Sequence, residues 1–577
     1  NQYYLLKRKV THQELVAVRR FPIFNLGKYK GGLIIEPKNK RIFPFKSLAA
    51  RTIGYKTETV KPVGLEGAYS SYIDGESGKR LVQRIAGGVW MPVHKDIEIS
   101  PKEGADIIST IDINMQDLAQ RALKKQLVIS NADHGCVIVM EVQTGEIRAI
   151  SNFSKVAEGE YAEKFNYAIA ESAEPGSTFK LASYLAVLED KKVDTSSKVD
   201  CEGGTFVIYN KGKKLKIVKD SHLGFGVLTV KQAFEESSNA AIAKLIYTYY
   251  RDNPRQFTDR LHGLHLNEKA GLQIPGEGSP LIKTPSSKSW SKLSLPQMAY
   301  GYEMKMTPLQ MLTFYNAIAN DGKMVAPMFV REIRRLGNTI ENFEPKVLEE
   351  KICSDATLGK LQAMLEGVVE IGTGKDIIRN PLYKIAGKTG TAQVANGKLG
   401  YKVKKYQSSF CGYFPADKPK YAMIVVVNDP KNIYYGALVA GPVFREVADK
   451  VYANDVNMYS TVEPSKLIGN TKMPVSKAGY KHATQQVYKA FGIKALFASN
   501  SEFVNVVDTN NGVAVNEVKI NPKAVPDVAG MGLKDAMYLL SNAGLKPFVR
   551  GSGKVVKQSL IPGSRIVRGY PITIELE

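Results

Sequence analysis

The sequence predicts a multidomain α+β protein on three observations. The chain has 577 residues, 44% hydrophobic and 23% charged, enough for several domains of about 100 to 200 residues with at least one large core, and too apolar for disorder to dominate. Strand-like runs lie on both sides of a long stretch with a helical pattern, at 136–140 before it and at 408–414 and 421–428 after it. The tail, 525–577, reads as a helix followed by short strands, a small unit of its own.

Taken in order, residues 1–105 are rich in Gly, Lys and Tyr, with short alternating stretches such as 32–35, and predict an irregular, strand-rich accessory domain. A domain over 106–455 opens where Thr110-Ile111-Asp112 changes the pattern: Asp112 is placed to cap a helix whose apolar positions Met115, Leu118, Ala119, Ala122, Leu123 and Leu127 recur at 3.6 spacing. A buried strand at 136–140, a turn at Thr144-Gly145 and alternating Ile147 and Ala149 make a hairpin. From 161 to 383 the pattern is mostly helical, broken by Gly/Pro/Ser loops such as 276–289, and strands return at 384–394, 408–414 and 421–428 before a helix over 442–452. The strands from both ends predict one antiparallel sheet with the helical middle on one face and the two terminal helices on the other. Residues 456–522 are polar and irregular apart from a helix near 479–491, and precede the last unit, 523–577. Gly479, Ala483 and Gly492 are echoed by Gly532, Ala536 and Gly544 at nearly the same spacing, by degenerate repetition or by coincidence.

No uninterrupted apolar run reaches the ~18 residues of a membrane helix, so the chain reads as soluble. Starting at Asn1 without a Met or a signal-like segment, it reads as an excised ectodomain or a processed product. Cys136, Cys201, Cys353 and Cys411 lie far apart in no Cys-x-x-Cys or Cys/His cluster, so no metal is expected and the thiols read as isolated core residues. The excess of 79 Lys+Arg over 56 Asp+Glu, a net +23, predicts an anionic neighbour, either nucleic acid, an acidic polymer or membrane head groups. Nucleic acid is disfavoured, because no zinc-finger spacing, Walker loop or aromatic-basic RNA signature accompanies the charge.

The chemistry centres on Ser177. Pro175-Gly176 breaks the chain directly before an almost wholly apolar helix, so Ser177 starts a buried helix and Lys180 shares its face three residues on. A serine hydroxyl is a weak nucleophile until a base takes its proton, and a desolvated lysine of lowered pKa can be that base. Unpaired N–H groups at the helix start can stabilise an oxyanion. Ser-x-x-Lys alone is weak, since an ordinary helix cap with a solvated lysine explains it equally; Ser289 and Lys292 fit it too, in a Pro/Ser-rich loop with no buried helix after them. Two further elements add support. Ser237-Ser238-Asn239 interrupts two helical runs and reads as a tight turn displaying a hydroxyl and an amide, although a simple helix cap would look the same. Gly387-Lys388-Thr389-Gly390-Thr391 lies in a strand pattern, where Gly390 would let a ligand backbone approach, Thr389 and Thr391 share one face, and Lys388 points the other way, long enough to reach the Ser237 turn.

Ser-x-x-Lys, Ser-x-Asn and Lys-Thr-Gly in this order resemble the motif set of penicillin-binding proteins and serine β-lactamases. The separations, 60 residues from Ser177 to Ser237 and 151 from Ser237 to Lys388, look like a synthase-type transpeptidase more than a compact β-lactamase. The resemblance covers most of the chain. Phe43-Pro44-Phe45, Ala49-Ala50-Arg51, Gly54-Tyr55 and Gly64-Leu65-Glu66-Gly67 look like the pedestal of class B penicillin-binding proteins; Met306-Thr307-Pro308-Leu309-Gln310 and Gly412-Tyr413-Phe414-Pro415 are similar to landmarks of their transpeptidase domain. Val525-Pro526-Asp527-Val528 and Gln558-Ser559 to Pro562-Gly563 resemble a PASTA module. The implied organisation is an incomplete pedestal (1–105), a transpeptidase domain of antiparallel sheet sandwiched by helices (106–455), a linker or degenerate PASTA-like unit (456–522) and a PASTA domain (523–577). The membrane helix and Arg-Gly-containing segment typical of the family are not seen in this sequence.

What the resemblance implies is a peptidoglycan D,D-transpeptidase, of division type given the PASTA-like tail. Ser177 would be the nucleophile, Lys180 its base and Ser237, between Lys180 and Lys388, the proton relay. Asn239 would hold the donor amide, and Thr389 with Thr391 the terminal carboxylate. The oxyanion would sit between the N–H groups of Ser177 and Thr391, one such donor contributing about 3 kcal/mol in comparable sites. No cofactor is implied. Implied partners are stem peptides, β-lactams as inhibitors, and a membrane glycan polymerase with division or elongation machinery, at the outer face of the bacterial cytoplasmic membrane. A β-lactam sensor, a D,D-carboxypeptidase and a non-catalytic wall-binding scaffold stand as alternatives.

Overall fold

The computed structural model describes residues 4–36, 41–57, 61–85, 90–92, 98–394, 404–455, 476–493, 495–497, 500–509 and 512–577. The chain divides into two compact units, Asn1–Tyr459 and Ser460–Glu577. In the first, the Asp112 carboxylate accepts the N–H groups of Asn114 and Met115 and so caps α1 (Ile113–Ser130) as its position predicts. There follow β1 (His134–Glu141), β2 (Ile147–Ala157) and β3 (Glu160–Ala162), then α2 (Lys180–Glu189), a hairpin of β4 (Thr205–Asn210) and β5 (Lys213–Lys219), α3 (Val230–Glu235), α4 (Asn239–Tyr250), α5 (Pro308–Ala319) and α6 (Asp355–Glu370). β6 (Ala386–Val394), β7 (Lys405–Phe414), β8 (Tyr421–Asn428) and α7 (Gly441–Asn454) close the unit.

Strands from both ends of this stretch form one six-stranded antiparallel sheet, ordered β6-β7-β8-β1-β2-β3. Strand alternation explains why 136–140 is apolar throughout. Cys136, Ile138 and Met140 join a core with Leu181, Leu185 and Phe314 of the helical middle, while Val137 and Val139 join another with Leu123 and Leu127 of α1 and Phe444 and Val447 of α7. Both faces are covered, each buried Val, Leu or Phe contributing about 1.5–3 kcal/mol before entropy is charged.

The middle is not helical throughout. The β4–β5 hairpin has alternating Phe206 and Ile208 on one strand, and its two-residue turn places Lys211 at φ 47° and Gly212 at φ 77°, the left-handed pair that a tight hairpin requires. Lysines at 213, 214, 216 and 219 obscure the alternation of the second strand. Among the described residues before 105 the strands are the short segments Lys79–Arg80, Val82–Arg84, Trp90–Pro92 and Glu98–Ile99, preceded by helices such as His12–Val18, Ala50–Ile53 and Gly64–Ala68. Residues 32–35, alternating in sequence, are irregular: Ile34 and Ile35 are exposed, so no buried face sets a strand register. This region joins the sheet through Glu163, which accepts the N–H groups of Arg51 and Asn152 and whose pKa burial pushes up to about 6.

Residues 456–475 of the stretch read as a linker lie outside the described residues. The described residues that follow, in the second unit, carry β9 (Gly479–Tyr480), α8 (Lys481–Ala490), β10 (Ala495–Phe497), β11 (Phe503–Thr509) and β12 (Gly512–Glu517). The tail carries α9 (Leu533–Asn542), β13 (Lys546–Gly551), β14 (Val555–Gln558) and β15 (Pro571–Leu576). Both halves share one connectivity. After the helix, the first strand runs parallel to the third and the second antiparallel to it, as β10 and β11 pair with β12 and as β13 and β14 pair with β15. Among the described residues no helix is long and apolar enough to cross a membrane.

Candidate active site

Ser177 lies where the chain turns onto the sheet. Gly176 adopts φ +58°, and its N–H donates to Gly301 O at 3.1 Å. The serine then occupies a 3₁₀ turn, Gly176–Phe179, with the α-helix starting at Lys180. This departs from the expectation of an α-helix starting at the serine, and it helps the pair, because residues three apart eclipse in 3₁₀ geometry. Ser177 is half-buried while Lys180 is fully buried, and every residue of α2 through Leu188 is buried with it. Main chain packs on main chain here: a Cβ on Gly301 would lie 2.1 Å from Gly176 O, and one on Gly176 2.7 Å from the Ala392 Cβ.

The Ser237-Ser238-Asn239 turn joins α3 to α4. Ser237 takes φ +56°, a left-handed conformation costing a non-glycine residue about 1–2 kcal/mol. It offers its carbonyl oxygen to the Lys180 ammonium at 2.5 Å and its Oγ at 3.1 Å. Ser238 Oγ accepts the Ala241 N–H and caps α4, and Asn239 Nδ2 donates to Lys219 O at 2.9 Å. Burial lowers the Lys180 pKa to about 7, opposed by the negative charge of Asp220.

Lys388 enters from β6 and is also fully buried. Its ammonium lies 3.4 Å from Thr389 O and 5.6 Å from the centre of the Phe234 ring on α3, on the strand face opposite Thr389 and Thr391. Burial lowers its pKa first and the charge of Lys180 lowers it further. Thr389 Oγ1 is 2.7 Å from Thr373 Oγ1, and Thr391 Oγ1 accepts the Gly436 N–H at 3.0 Å. At Gly390 the space a Cβ would need is taken by Ser409 Oγ, at 2.2 Å, and Thr178 Cγ2, at 3.0 Å, so its bareness serves the packing of the serine turn as well. A Cβ on Gly436 would likewise sit 2.3 Å from Gly390 O.

Ser177, Lys180, Ser237, Asn239, Lys388, Thr389, Gly390 and Thr391 thus belong to the serine turn, the Ser237 turn and β6, while Ser289 and Lys292 are exposed in a loop, Lys292 bonding Asn210 Oδ1. Asp220, at the end of the hairpin, escaped notice in the sequence, as did Thr373; the Lys-Gly turn at 211–212 was the one local signal that a strand led to Asp220. Among the described residues no group of three or more His, Cys, Asp or Glu could hold a metal ion.

Residues 135–449 match the model of the penicillin binding protein transpeptidase domain, and residues 523–577 that of the PASTA domain. The first match takes in more than half of the chain, which belongs to the penicillin-binding protein transpeptidase family. The chain is 29% identical over 416 residues to the probable peptidoglycan D,D-transpeptidase PbpC of Pseudomonas aeruginosa, covering 71% of this chain and 69% of that one. It is 25% identical over 564 residues to stage V sporulation protein D of Bacillus subtilis, covering 94% and 77%. Among solved structures, penicillin-binding protein 3 of Mycobacterium tuberculosis complexed with ampicillin superposes with a TM-score of 0.62 at 26% identity, over 74% of this chain and 92% of that one.

Proposed function

We propose that this chain is a serine D,D-transpeptidase that cross-links peptidoglycan stem peptides and is acylated by β-lactams. The observation that carries the reading is Lys180, fully buried with its pKa lowered to about 7 and held by the Ser237 turn one 3₁₀ turn from a half-exposed serine. Ser177 Oγ attacks the penultimate D-alanine carbonyl and gives its proton to neutral Lys180. The tetrahedral adduct collapses, and the departing D-alanine nitrogen takes a proton by way of Ser237. An acceptor amine then attacks the ester, forming the new amide and restoring the serine. Asn239 holds the donor amide, Thr389 and Thr391 the terminal carboxylate, and Lys388 acts on Lys180 through its charge in the fraction of molecules where it is protonated.

The same reading extends to the surroundings. Residues 1–105 serve as the pedestal, 106–455 as the catalytic domain, and 523–577 as the PASTA module, with a second, degenerate copy within 456–522, a reading supported by their common strand connectivity. The PASTA module favours a septal role at the outer face of the bacterial cytoplasmic membrane, beside a glycan polymerase. Intact mass after incubation with a labelled penicillin, followed by peptide mapping, tests the centre of it. One adduct at Ser177 is expected; an adduct elsewhere overturns the assignment. Supplying a stem peptide with an acceptor amine then separates a transpeptidase, which yields cross-linked product, from a carboxypeptidase, which yields only the trimmed peptide.

A further inference from the structure

Asp220 follows β5 and is buried, 8% exposed. Three donors converge on its carboxylate, all from the turn that carries Ser237. Oδ2 accepts the Ser238 hydroxyl at 2.8 Å, and Oδ1 accepts the N–H groups of Asn239 at 2.5 Å and Ala240 at 2.9 Å. The preceding carbonyl, Lys219 O, takes the Asn239 side-chain amide. The end of the hairpin therefore holds both the backbone and the side chains of the turn, with an acidic group at the N-terminus of the twelve-residue α4. The strained Ser237 stands one residue before these contacts and is the group that engages Lys180.

We infer that Asp220 is a positioning residue for acylation, its carboxylate holding the Ser237-Ser238-Asn239 turn in the shape that presents Ser237 O and Oγ to the Lys180 ammonium. This rests on the assignment of Ser177 and Lys180 made above. The carboxylate has a second effect through its charge. Around Lys180 the ionisable neighbours are Asp220, which raises its pKa against burial, and Lys388, which itself faces Glu236. Cys201 and Tyr184, both near Asp220, have pKa values raised mainly by burial and stay protonated at neutral pH. Without the negative charge Lys180 loses its proton at lower pH, and the acidic limb of the acylation rate moves with it.

The test is the pH dependence of penicillin acylation in the full chain, with active sites counted by covalent label. For Asp220→Asn the acidic limb is expected to move down by about one pH unit and the plateau to fall by about tenfold, as loosened positioning costs. Asp220→Glu, which keeps the charge but shifts the oxygens, should lower the plateau and leave the limb in place. A purely structural aspartate would reduce the count of active sites without moving the limb. An unmoved limb in Asp220→Asn overturns the inference. If that variant does not fold, a parental plateau in Asp220→Glu overturns it instead. Should the parent chain fail to label at Ser177, the proposed function falls; should the parent label and the variants behave as the parent does, only the role of Asp220 falls.

Discussion

Ser177 with Lys180 and Ser289 with Lys292 share one four-residue pattern in two settings. The first lysine has no exposed surface, follows a 3₁₀ turn and is held by two oxygens of Ser237. The second is exposed in a loop and bonds a surface asparagine. An ammonium in water holds its proton to about pH 10.4, whereas burial brings Lys180 down to about 7. The pattern supplies the right atoms in both places, and only desolvation makes one of them a base.

The serines offer the most severe way to break the comparison. Ser177→Ala should abolish β-lactam acylation while leaving the melting temperature nearly unchanged, and Ser289→Ala should acylate as the parent does, both read by intact mass. The lysines come next. An arginine cannot release its proton, so Lys180→Arg should acylate about 10²–10⁴-fold more slowly, the usual range for a lost general base, while Lys292→Arg should be neutral. In the parent, acylation should rise with pH through about 7, as Lys180 loses its proton. Stability at this site runs the same way. Between pH 7 and about 10 the unfolded chain binds the proton that the folded chain does not, so the folding penalty of Lys180 shrinks as pH rises. A rate that is flat from pH 6 to 8 would remove Lys180 from its role.

A smaller effect tests the packing behind the first pair. In Gly390→Ala the new methyl group meets Ser409 Oγ and Thr178, which should displace the serine turn and slow acylation by about tenfold. Adding Ser409→Ala should recover part of that loss, and no recovery would show that the glycine matters for another reason. The smallest effect is expected from removing the second unit. A chain ending at residue 459, the limit of the first compact unit, should acylate within about twofold of the parent; a folded, inactive product would make the tail part of the catalytic apparatus.

Much of this site was legible because its groups announce themselves locally. A Pro-Gly break before an apolar run, a serine turn between two helical runs and a strand carrying Lys-Thr-Gly are each visible within a dozen residues, and so is the Asp112 cap. What escaped was set by contacts across the fold. Asp220 has no motif of its own; it acquires a role because the hairpin ending at Lys219 delivers it to the N-terminus of α4. The hairpin was hidden because lysines occupy positions where alternating apolar residues would mark a strand. The Ser177 turn differs from a regular helix only in hydrogen-bond pattern, which composition does not encode. The strands at 495–517 follow a polar stretch, and the connectivity they share with the tail was only hinted at by residue spacing.

Gly301 and Gly436 meet the main chain of their neighbours at distances no side chain could share. Selection by an acylating drug works by exchanging one side chain for another, and at these two positions there is none to exchange: a replacement collides with backbone before it can discriminate drug from peptide. Inherited tolerance to a β-lactam must therefore arise elsewhere, in side chains that face the ligand or in the layer behind them. Resistant descendants of a strain depending on this protein should keep both glycines, and sequencing them would show whether they do.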